Sequence, residues 1–453
     1  MKKGDKVTLK IKKLVYEGAG LGKIDGIPVF VENTCPEDIV EAEITVLNKN
    51  FARAKVLEIK EPSPHRVKPF CPLHNACGGC GWQFIDYDFQ LEQKRNIVEE
   101  TVKKFTGREI EVKPVIKSPQ TREYRSKVQY PVSQTKVSKR LLAGYYKKGT
   151  HELINVKFCP IQPNIIGKIL AFAKETAQEL GISGYNEKKH KGELRHIVIR
   201  YSKEKNECLV IFVVNDTKLS PKFKTLSEKL MKQFAHVKGC CINYNTAKSN
   251  VILSNDTRCI AGDKFYFEKI GDIEYKISAN SFFQVNTGTA KNIFDTVKEI
   301  IETKFPKSTV LDAYSGVSSF GVYLKDSAEK IVSVEECKSA SEDALENIKL
   351  NNAQNLEILN GDAKKIFEKL INEGKSFDIT LLDPPRKGCE KESLDFAAAL
   401  TKKAIIYVSC NPATLARDIK YLEEKGFKAQ FIQPFDMFCH SYHIESVCLL
   451  ARL

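Results

Sequence analysis

From about residue 270 onward the sequence alternates short β-branched runs with stretches of helical spacing, and no other feature restricts the fold as much. Runs at 309–314, 330–335, 356–361, 377–383, 404–409, 428–434 and 446–453 read as seven strands, with helical segments between the first six. Strands joined by helices form a mainly parallel sheet covered on both faces. This part of the chain is therefore expected to be an α/β domain. The last two strands have no helix between them and are expected to pair antiparallel.

A chain of 453 residues holds more than this one unit. Residues 6–14, 27–32, 39–47 and 51–59 alternate as short strands, with glycines at 18, 20, 22 and 26 between them. Their spacing predicts a small all-β barrel. The Gly-x-Gly-x-Gly run is not followed by a strand-to-helix transition, so it is expected to be a hairpin turn rather than a phosphate loop. Glu61-Pro62-Ser63-Pro64-His65 reads as an extended linker. Helical spacing over 86–105 and strand-like pieces at 127–132, 141–146, 197–201 and 208–214 predict a mixed α+β middle region. The expected organisation is a barrel at 1–61, a central domain at 62–268 and the α/β domain at 269–453. There is no internal repeat.

The 71 Lys and Arg exceed the 57 Asp and Glu by 14, an excess that points to a polyanionic partner. With 42% apolar and 28% charged residues the chain is globular, which excludes disordered and low-complexity classes. No stretch approaches the roughly 20 apolar residues of a membrane span. The opening Met1-Lys2-Lys3-Gly4-Asp5-Lys6 is not an apolar signal core. A soluble, cytoplasmic protein without membrane contact is expected.

Ligands of an open α/β sheet bind outside the carboxyl ends of its strands. The first strand of this sheet ends Leu311-Asp312-Ala313-Tyr314-Ser315-Gly316, and the second ends at Glu335, about 20 residues on, where a ribose-binding carboxylate belongs. The next three end in Asn360-Gly361-Asp362, Asp383-Pro384-Pro385-Arg386 and Ser409-Cys410-Asn411-Pro412. The missing Gly-x-Gly-x-x-Gly argues against a dinucleotide. A nucleoside ligand without phosphates, such as S-adenosylmethionine, fits better. Asn411 caps a helix that starts at Pro412, so the Cys410 thiol is expected beside a helix N-terminus that favours the thiolate, making it a candidate nucleophile.

Cysteine is over-represented, with 14 residues in irregular spacing and no secretory segment, which argues against a disulfide framework. Cys71, Cys77 and Cys80 cluster around Gly78-Gly79 and suggest thiolate ligands for a metal centre. Cys208, Cys240, Cys241, Cys259 and Cys448 sit in apolar runs as small hydrophobes.

The run Ser409-Cys410-Asn411-Pro412-Ala413-Thr414-Leu415-Ala416-Arg417-Asp418, with Leu382-Asp383-Pro384-Pro385-Arg386 before it and His443-Ile444-Glu445-Ser446-Val447 after it, resembles the RNA uracil-C5-methyltransferases. Ser281-Phe282-Phe283-Gln284-Val285-Asn286 is similar to the family segment entering the catalytic domain. The resemblance covers nearly the whole chain. It implies a Rossmann-like class I methyltransferase domain and an N-terminal TRAM domain, an OB-like RNA-binding module. It implies that Cys410 adds to carbon 6 of uracil and that Glu445, expected between the last two strands, removes the carbon 5 proton. It also implies that Gln284, Tyr314, Ser319, Glu335, Asp362 and Asp383 contact S-adenosyl-L-methionine, Asp383 also being a candidate to hold the uracil. By the same resemblance Cys159 joins Cys71, Cys77 and Cys80 around a structural [4Fe-4S] cluster; four cysteines suit either zinc or such a cluster, and only one of the paired Cys-x-x-Cys knuckles usual in zinc ribbons occurs here. Two positions depart from the family pattern: Ser318 stands where a second glycine is common, followed by an atypical Ser319, and Cys439 stands where a proline is expected.

RNA contact is expected from the barrel, from Arg122-Glu123-Tyr124-Arg125 with Lys127, and from Tyr145-Tyr146-Lys147-Lys148. The expected activity is 5-methyluridine formation in 23S ribosomal RNA by a monomer. A transfer-RNA methyltransferase and an inactive RNA-binding iron-sulfur protein are the alternatives.

Overall fold

The computed structural model describes residues 1–453. Six strands, Lys6–Lys10, Lys13–Leu14, Gly20–Ile24, Ile27–Val31, Ile39–Leu47 and Ala52–Glu61, form one sheet. It closes on a core that includes Leu9, Ile11, Val29, Val31, Val40 and Ile44. The glycine run is not simply the expected hairpin turn. Gly18 and Gly26 do occupy turns at φ 89 and 80, but Gly20 and Gly22 lie inside a strand. A Cβ on Gly20 would stand 2.1 Å from Thr34 Oγ1, and one on Gly22 2.7 Å from Leu9 Cδ1, so these glycines serve close strand approach.

The expected linker at 61–65 is fixed in place. The Ser63 N–H donates to Asp38 Oδ1 at 2.9 Å, and the Arg66 guanidinium grips both Asp38 oxygens, each at 2.7 Å. Two prolines set an extended path, and a buried carboxylate anchors its end.

Asp86 caps the helix Tyr87–Thr106 by accepting from the Phe89 N–H, and left-handed Gly107 closes it. The helix packs against the C-terminal domain. Its Ile97, Val98 and Val102 share a core with Leu415, Ile419 and Leu422 of the helix Pro412–Glu423.

The middle of the chain is a seven-stranded mixed sheet, ordered Thr257–Gly262, Val237–Tyr244, Glu207–Val214, Leu194–Ser202, Lys127–Gln134, Leu141–Tyr146, Leu153–Asn155. The helices Asn164–Glu179 and Pro221–Gln233 cover one face. The other face meets the hairpin Phe265–Ile270/Ile273–Ser278, which runs across the 268/269 junction expected from sequence. Val198, Leu209 and Ile211 of the mixed sheet share one core with Tyr266 and Tyr275 of the hairpin and with Val310 and Ile379 beyond it.

The C-terminal sheet contains β1 (Thr309–Ala313), β2 (Lys330–Glu335), β3 (Leu356–Asn360), β4 (Phe377–Leu382), β5 (Thr401–Ser409), β6 (Phe427–Phe435) and β7 (Glu445–Arg452). Their order across the sheet is β3-β2-β1-β4-β5-β7-β6. The first six strands run parallel, and β7 inserts between β5 and β6 antiparallel to both. The strand order reverses between β1 and β4, so a crevice opens at their carboxyl ends.

Candidate active site

In the antiparallel pairing of β5 with β7, Ser409 lies opposite Ser446. One residue further along each strand places Cys410 beside Glu445. Cys410 precedes Asn411, whose side chain accepts from the Ala413 N–H at 3.0 Å and caps the helix Pro412–Glu423. Glu445 is not between the last two strands, as expected, but is the first residue of β7, opposite Phe435 of β6, because pairing starts as soon as the chain turns back. It is only 5% exposed.

Burial dominates the electrostatics here. The Glu445 carboxyl is held well above the ordinary carboxylate range by desolvation, reinforced by Asp383 and opposed by Arg386. Desolvation pushes Asp383 up to about 7. The Cys410 thiol is pushed up to about 11, first by burial, then by Glu445, against the pull of Arg386; Asp383 adds to the rise and its own backbone N–H opposes it. Burial and the two neighbouring carboxyls thus work against the thiolate that the helix N-terminus was expected to favour. A helix N-terminus supplies about half a charge, and here it is outweighed by a dry site with two carboxyls.

Arg386 follows the Asp-Pro-Pro turn with its side chain exposed, facing Cys410, Glu445 and His443. Its backbone carbonyl accepts from Asn411 Nδ2 at 3.3 Å, which ties the β4 turn to the β5 turn. Sequence reasoning quoted this residue only as part of a motif. The available signal was a cation just past the end of a strand on an acidic rim.

The strand ends bring Tyr314, Glu335, Asp362, Asp383 and Cys410 to one rim. Tyr314, Gly316 and Ser318 all take left-handed backbone, at φ 62, 58 and 57. Ser318 therefore occupies a conformation that suits glycine, with its hydroxyl 2.9 Å from that of Ser333. Glu335 accepts from the Gly316 N–H at 2.8 Å and the Cys337 N–H at 2.7 Å, so it also pins the β1 turn. Asp362 caps the helix Ala363–Asn372, accepting from the Lys365 N–H at 3.1 Å. Ser319 opens the short helix Ser319–Tyr323, and its carbonyl accepts from the Tyr275 hydroxyl at 2.9 Å. Gln284 is half-buried just before the helix Thr287–Lys304. A cleft of about 1080 Å³ lies beside Glu335, lined by Asn280, Cys337 and Asp343 among others, and Cys410 is not among them.

Cys71, Cys77, Cys80 and Cys159 are all free thiols, half-buried, and each of the last two lies within electrostatic reach of the other three. No three of them are arranged to grip a single ion. The loop is held by a bridge between Cys77 and Lys147 and by the Gly78 N–H, which donates to the Tyr146 carbonyl at 3.2 Å. Cys439, in the place of the expected proline, is buried against Tyr124 and Ile161 next to this cluster.

Two of the three surfaces expected to contact RNA are partly spent on structure. Tyr124 is buried, and Tyr145 is engaged with Gln162. The guanidinium of Arg122 stacks 4.2 Å over Phe70, and Lys127 is pulled down to about 7 by burial, with Arg200 and Arg125 adding. Tyr146 stays exposed, while Lys148 reaches Glu32 of the barrel at 3.0 Å.

A mainly parallel sheet in this order, with carboxylates along the crevice at its switch point, is an α/β fold with a nucleoside-type binding crevice, and it matches the fold of S-adenosylmethionine-dependent methyltransferases. Residues 86–453 match the tRNA (Uracil-5-)-methyltransferase family and residues 1–57 the TRAM domain, so the chain belongs to that family of RNA uracil-C5-methyltransferases, as the sequence motifs implied. It is 37% identical over 454 residues to an uncharacterized RNA methyltransferase of Bacillus cereus, covering 100% of this chain and 98% of that one. A relative of the same description from Halalkalibacterium halodurans is 38% identical over 451 residues, covering 99% and 97%. Among solved structures it is similar to the Pyrococcus abyssi tRNA (uracil-54, C5)-methyltransferase in complex with S-adenosyl-L-homocysteine. The TM-score is 0.78 at 28% identity, covering 98% of this chain and 100% of that one. No helix is long and apolar enough to cross a membrane.

Proposed function

We propose that this enzyme methylates carbon 5 of a uridine in 23S ribosomal RNA, with Cys410 as the nucleophile and Glu445 as the base. The observation that carries the reading is the register of β5 and β7, which sets the two side chains side by side at the rim. Carbon 5 of uracil is a poor nucleophile until a thiolate adds at carbon 6. The Cys410 thiol gives up its proton to solvent, the thiolate sulfur bonds to carbon 6, and the displaced electron pair of the carbon 5–carbon 6 double bond moves onto carbon 5 and the O4 carbonyl. S-adenosyl-L-methionine, when bound, supplies the methyl group on a sulfonium. Carbon 5 then carries methyl and hydrogen together. Glu445 removes that hydrogen as a proton, the ring double bond re-forms and the Cys410 sulfur leaves. A carboxyl with raised proton affinity suits this step better than an ordinary one.

Glu335, Asp362, Asp383, Gln284, Tyr314 and Ser319 are the residues proposed to hold the cofactor, Glu335 through the ribose hydroxyls. Asp383 also suits a uracil N–H, since no protein donor is bonded to its carboxyl. The four free thiols, two of which (Cys80 and Cys159) pack with Phe70, Tyr87, Tyr124 and Ile161, are suited to a [4Fe-4S] cluster. Its part would be structural, because the loop it braces carries Trp82, whose N–H groups reach both the barrel, at Gly18, and the C-terminal domain, at His440. The enzyme is read as a monomer. The target uridine must leave its stack to reach Cys410, which favours loop or single-stranded RNA.

The barrel joined to the four-cysteine loop supports the ribosomal target. A transfer RNA is the second reading, favoured by the similarity to the Pyrococcus abyssi enzyme over nearly the whole chain. Transcripts of both RNAs containing 5-fluorouridine, incubated with protein and S-adenosylmethionine, test target and mechanism together, since fluorine blocks the final deprotonation. A covalent complex with 23S rRNA alone is expected. No complex with either RNA, or an undiminished one from Cys410→Ala, would overturn the mechanism. A complex with transfer RNA alone would move the target.

A further inference from the structure

We infer that Tyr16, on a turn of the N-terminal barrel, forms one wall of the pocket that receives the extruded target base. This rests on the uridine chemistry proposed above and adds a barrel residue to it. The turn is closed by the Gly18 N–H donating to the Val15 carbonyl at 2.9 Å, with Glu17 and Gly18 in left-handed backbone. It is held down on the C-terminal domain. The Trp82 indole N–H donates to the Gly18 carbonyl at 3.2 Å, and a Cβ on Gly18 would stand 2.8 Å from Tyr442 Cδ1.

The Tyr16 ring meets Tyr442 edge-on, with centroids 6.4 Å apart and planes at 82°. Tyr442 in turn lies 4.4 Å from the His443 ring, and His443 is two residues before Glu445. Half-buried, Tyr16 packs on the core that contains Trp82 and Ile444. Its hydroxyl is held up by burial and next by Cys410, and down by Arg386, so it faces thiol and guanidinium across the rim.

A neutral ring on the same rim as the nucleophile suits the flat face of a pyrimidine. A phosphate would call for cations, but the nearby Lys13 is already paired with Glu100, and Arg386 acts on Cys410 and Glu445 at the reacting centre. Stacking of one base on one ring is sequence-tolerant, and its loss is expected to slow base capture by about 10- to 100-fold.

The test uses the full-length protein and the RNA transcript that the wild type methylates. Tyr16→Ala should bind that RNA within about threefold of wild type but form the 5-fluorouridine adduct about 10- to 100-fold more slowly at saturating RNA. Tyr16→Phe, which keeps the ring, should stay within about threefold. An adduct rate for Tyr16→Ala equal to wild type, or a Tyr16→Phe as slow as Tyr16→Ala, overturns the inference. A second measurement needs no catalysis. Cys410→Ala protein irradiated on 5-iodouridine RNA should cross-link through the peptide that holds Tyr16, and cross-links confined to other peptides overturn the inference as well. If the wild type itself gives no adduct, the uridine reading has failed, and the cross-link still decides whether a base sits against Tyr16.

Discussion

The Asp383 carboxyl lies near enough to Glu445 to raise its proton affinity, and both carboxyls act in the same sense on the Cys410 thiol. The site therefore holds protons that the proposed chemistry must give up. A thiol near 11 is almost wholly protonated at neutral pH, and each unit of pH raises its thiolate fraction tenfold. Glu445 must likewise be ionised to act as base. Adduct formation at saturating RNA is expected to climb steadily from pH 6 to pH 9, measured as the single-turnover rate of 5-fluorouridine trapping. A rate flat over that range would show that the thiol is not the group losing a proton.

Arg386 is the one cation that opposes this trend at both Cys410 and Glu445. Removing it as Arg386→Ala should raise the thiol further and slow adduct formation by about 3- to 10-fold, since one pKa unit is a factor of ten in thiolate. The plots of log rate against pH for variant and wild type should run parallel below pH 10, because both thiols are still mostly protonated there. Arg386→Lys should recover most of the loss. A variant matching wild type at every pH would remove Arg386 from the site.

The alternation of strands and helices was enough to foresee the catalytic sheet, since seven runs of the right length leave few topologies open. Cys410 and the rim acids were legible because strand ends in such a sheet are where ligands bind. What did not show was anything set by contacts distant in sequence. The thiol's protonation depends on Glu445, 35 positions away and brought in by β7. The barrel glycines read as turns because their sterics depend on Thr34 and Leu9 across the sheet. Tyr16 carried no signal, because the path that lays its turn against Tyr442 crosses more than 400 residues.

Glu335 has two roles to separate. It pins the β1 turn through the Gly316 and Cys337 N–H groups, and it is proposed to hold the cofactor ribose. Glu335→Gln keeps the shape and loses the charge, and a charge-assisted hydrogen bond contributes about 1.5–3 kcal/mol. S-adenosylmethionine affinity, measured by calorimetry, should fall about 10- to 100-fold, with the methylation rate at saturating cofactor changed much less. Unchanged affinity would leave Glu335 a purely structural residue.

The cysteine site predicts a colour. Protein purified without oxygen is expected to be brown and to carry iron and sulfide in equal amounts. Cys80→Ser should lose both. If the proposed cluster braces the loop that carries Trp82, the same variant should release the barrel and become sensitive to protease between residues 61 and 87. Stoichiometric zinc in the wild type would replace the cluster with a single-ion site.

Lys94 and Asp436 form an ion pair with side chains 0% and 1% exposed, which fastens the helix Tyr87–Thr106 to the turn that leads into Glu445. Burial alone would raise the Asp436 carboxyl, but Lys94 and the Tyr87 hydroxyl, at 2.7 Å, hold it below the ordinary carboxylate range. That stabilisation is present above the unfolded pKa and fades as pH falls through the lowered one. Lys94→Met leaves Asp436 buried without its cation, at a cost of about 3–5 kcal/mol near neutral pH. In the variant the same carboxyl should titrate above its unfolded value, so the penalty should grow as pH rises from 5 to 8 and shrink toward acid. Replacing both partners, as Lys94→Met with Asp436→Leu, should recover most of the loss, since no unpaired charge remains. Urea denaturation of wild type, single and double variants at pH 5 and pH 8 measures all of this. A single variant with the same deficit at both pH values would mean that packing, and not the charge, holds the helix to the turn.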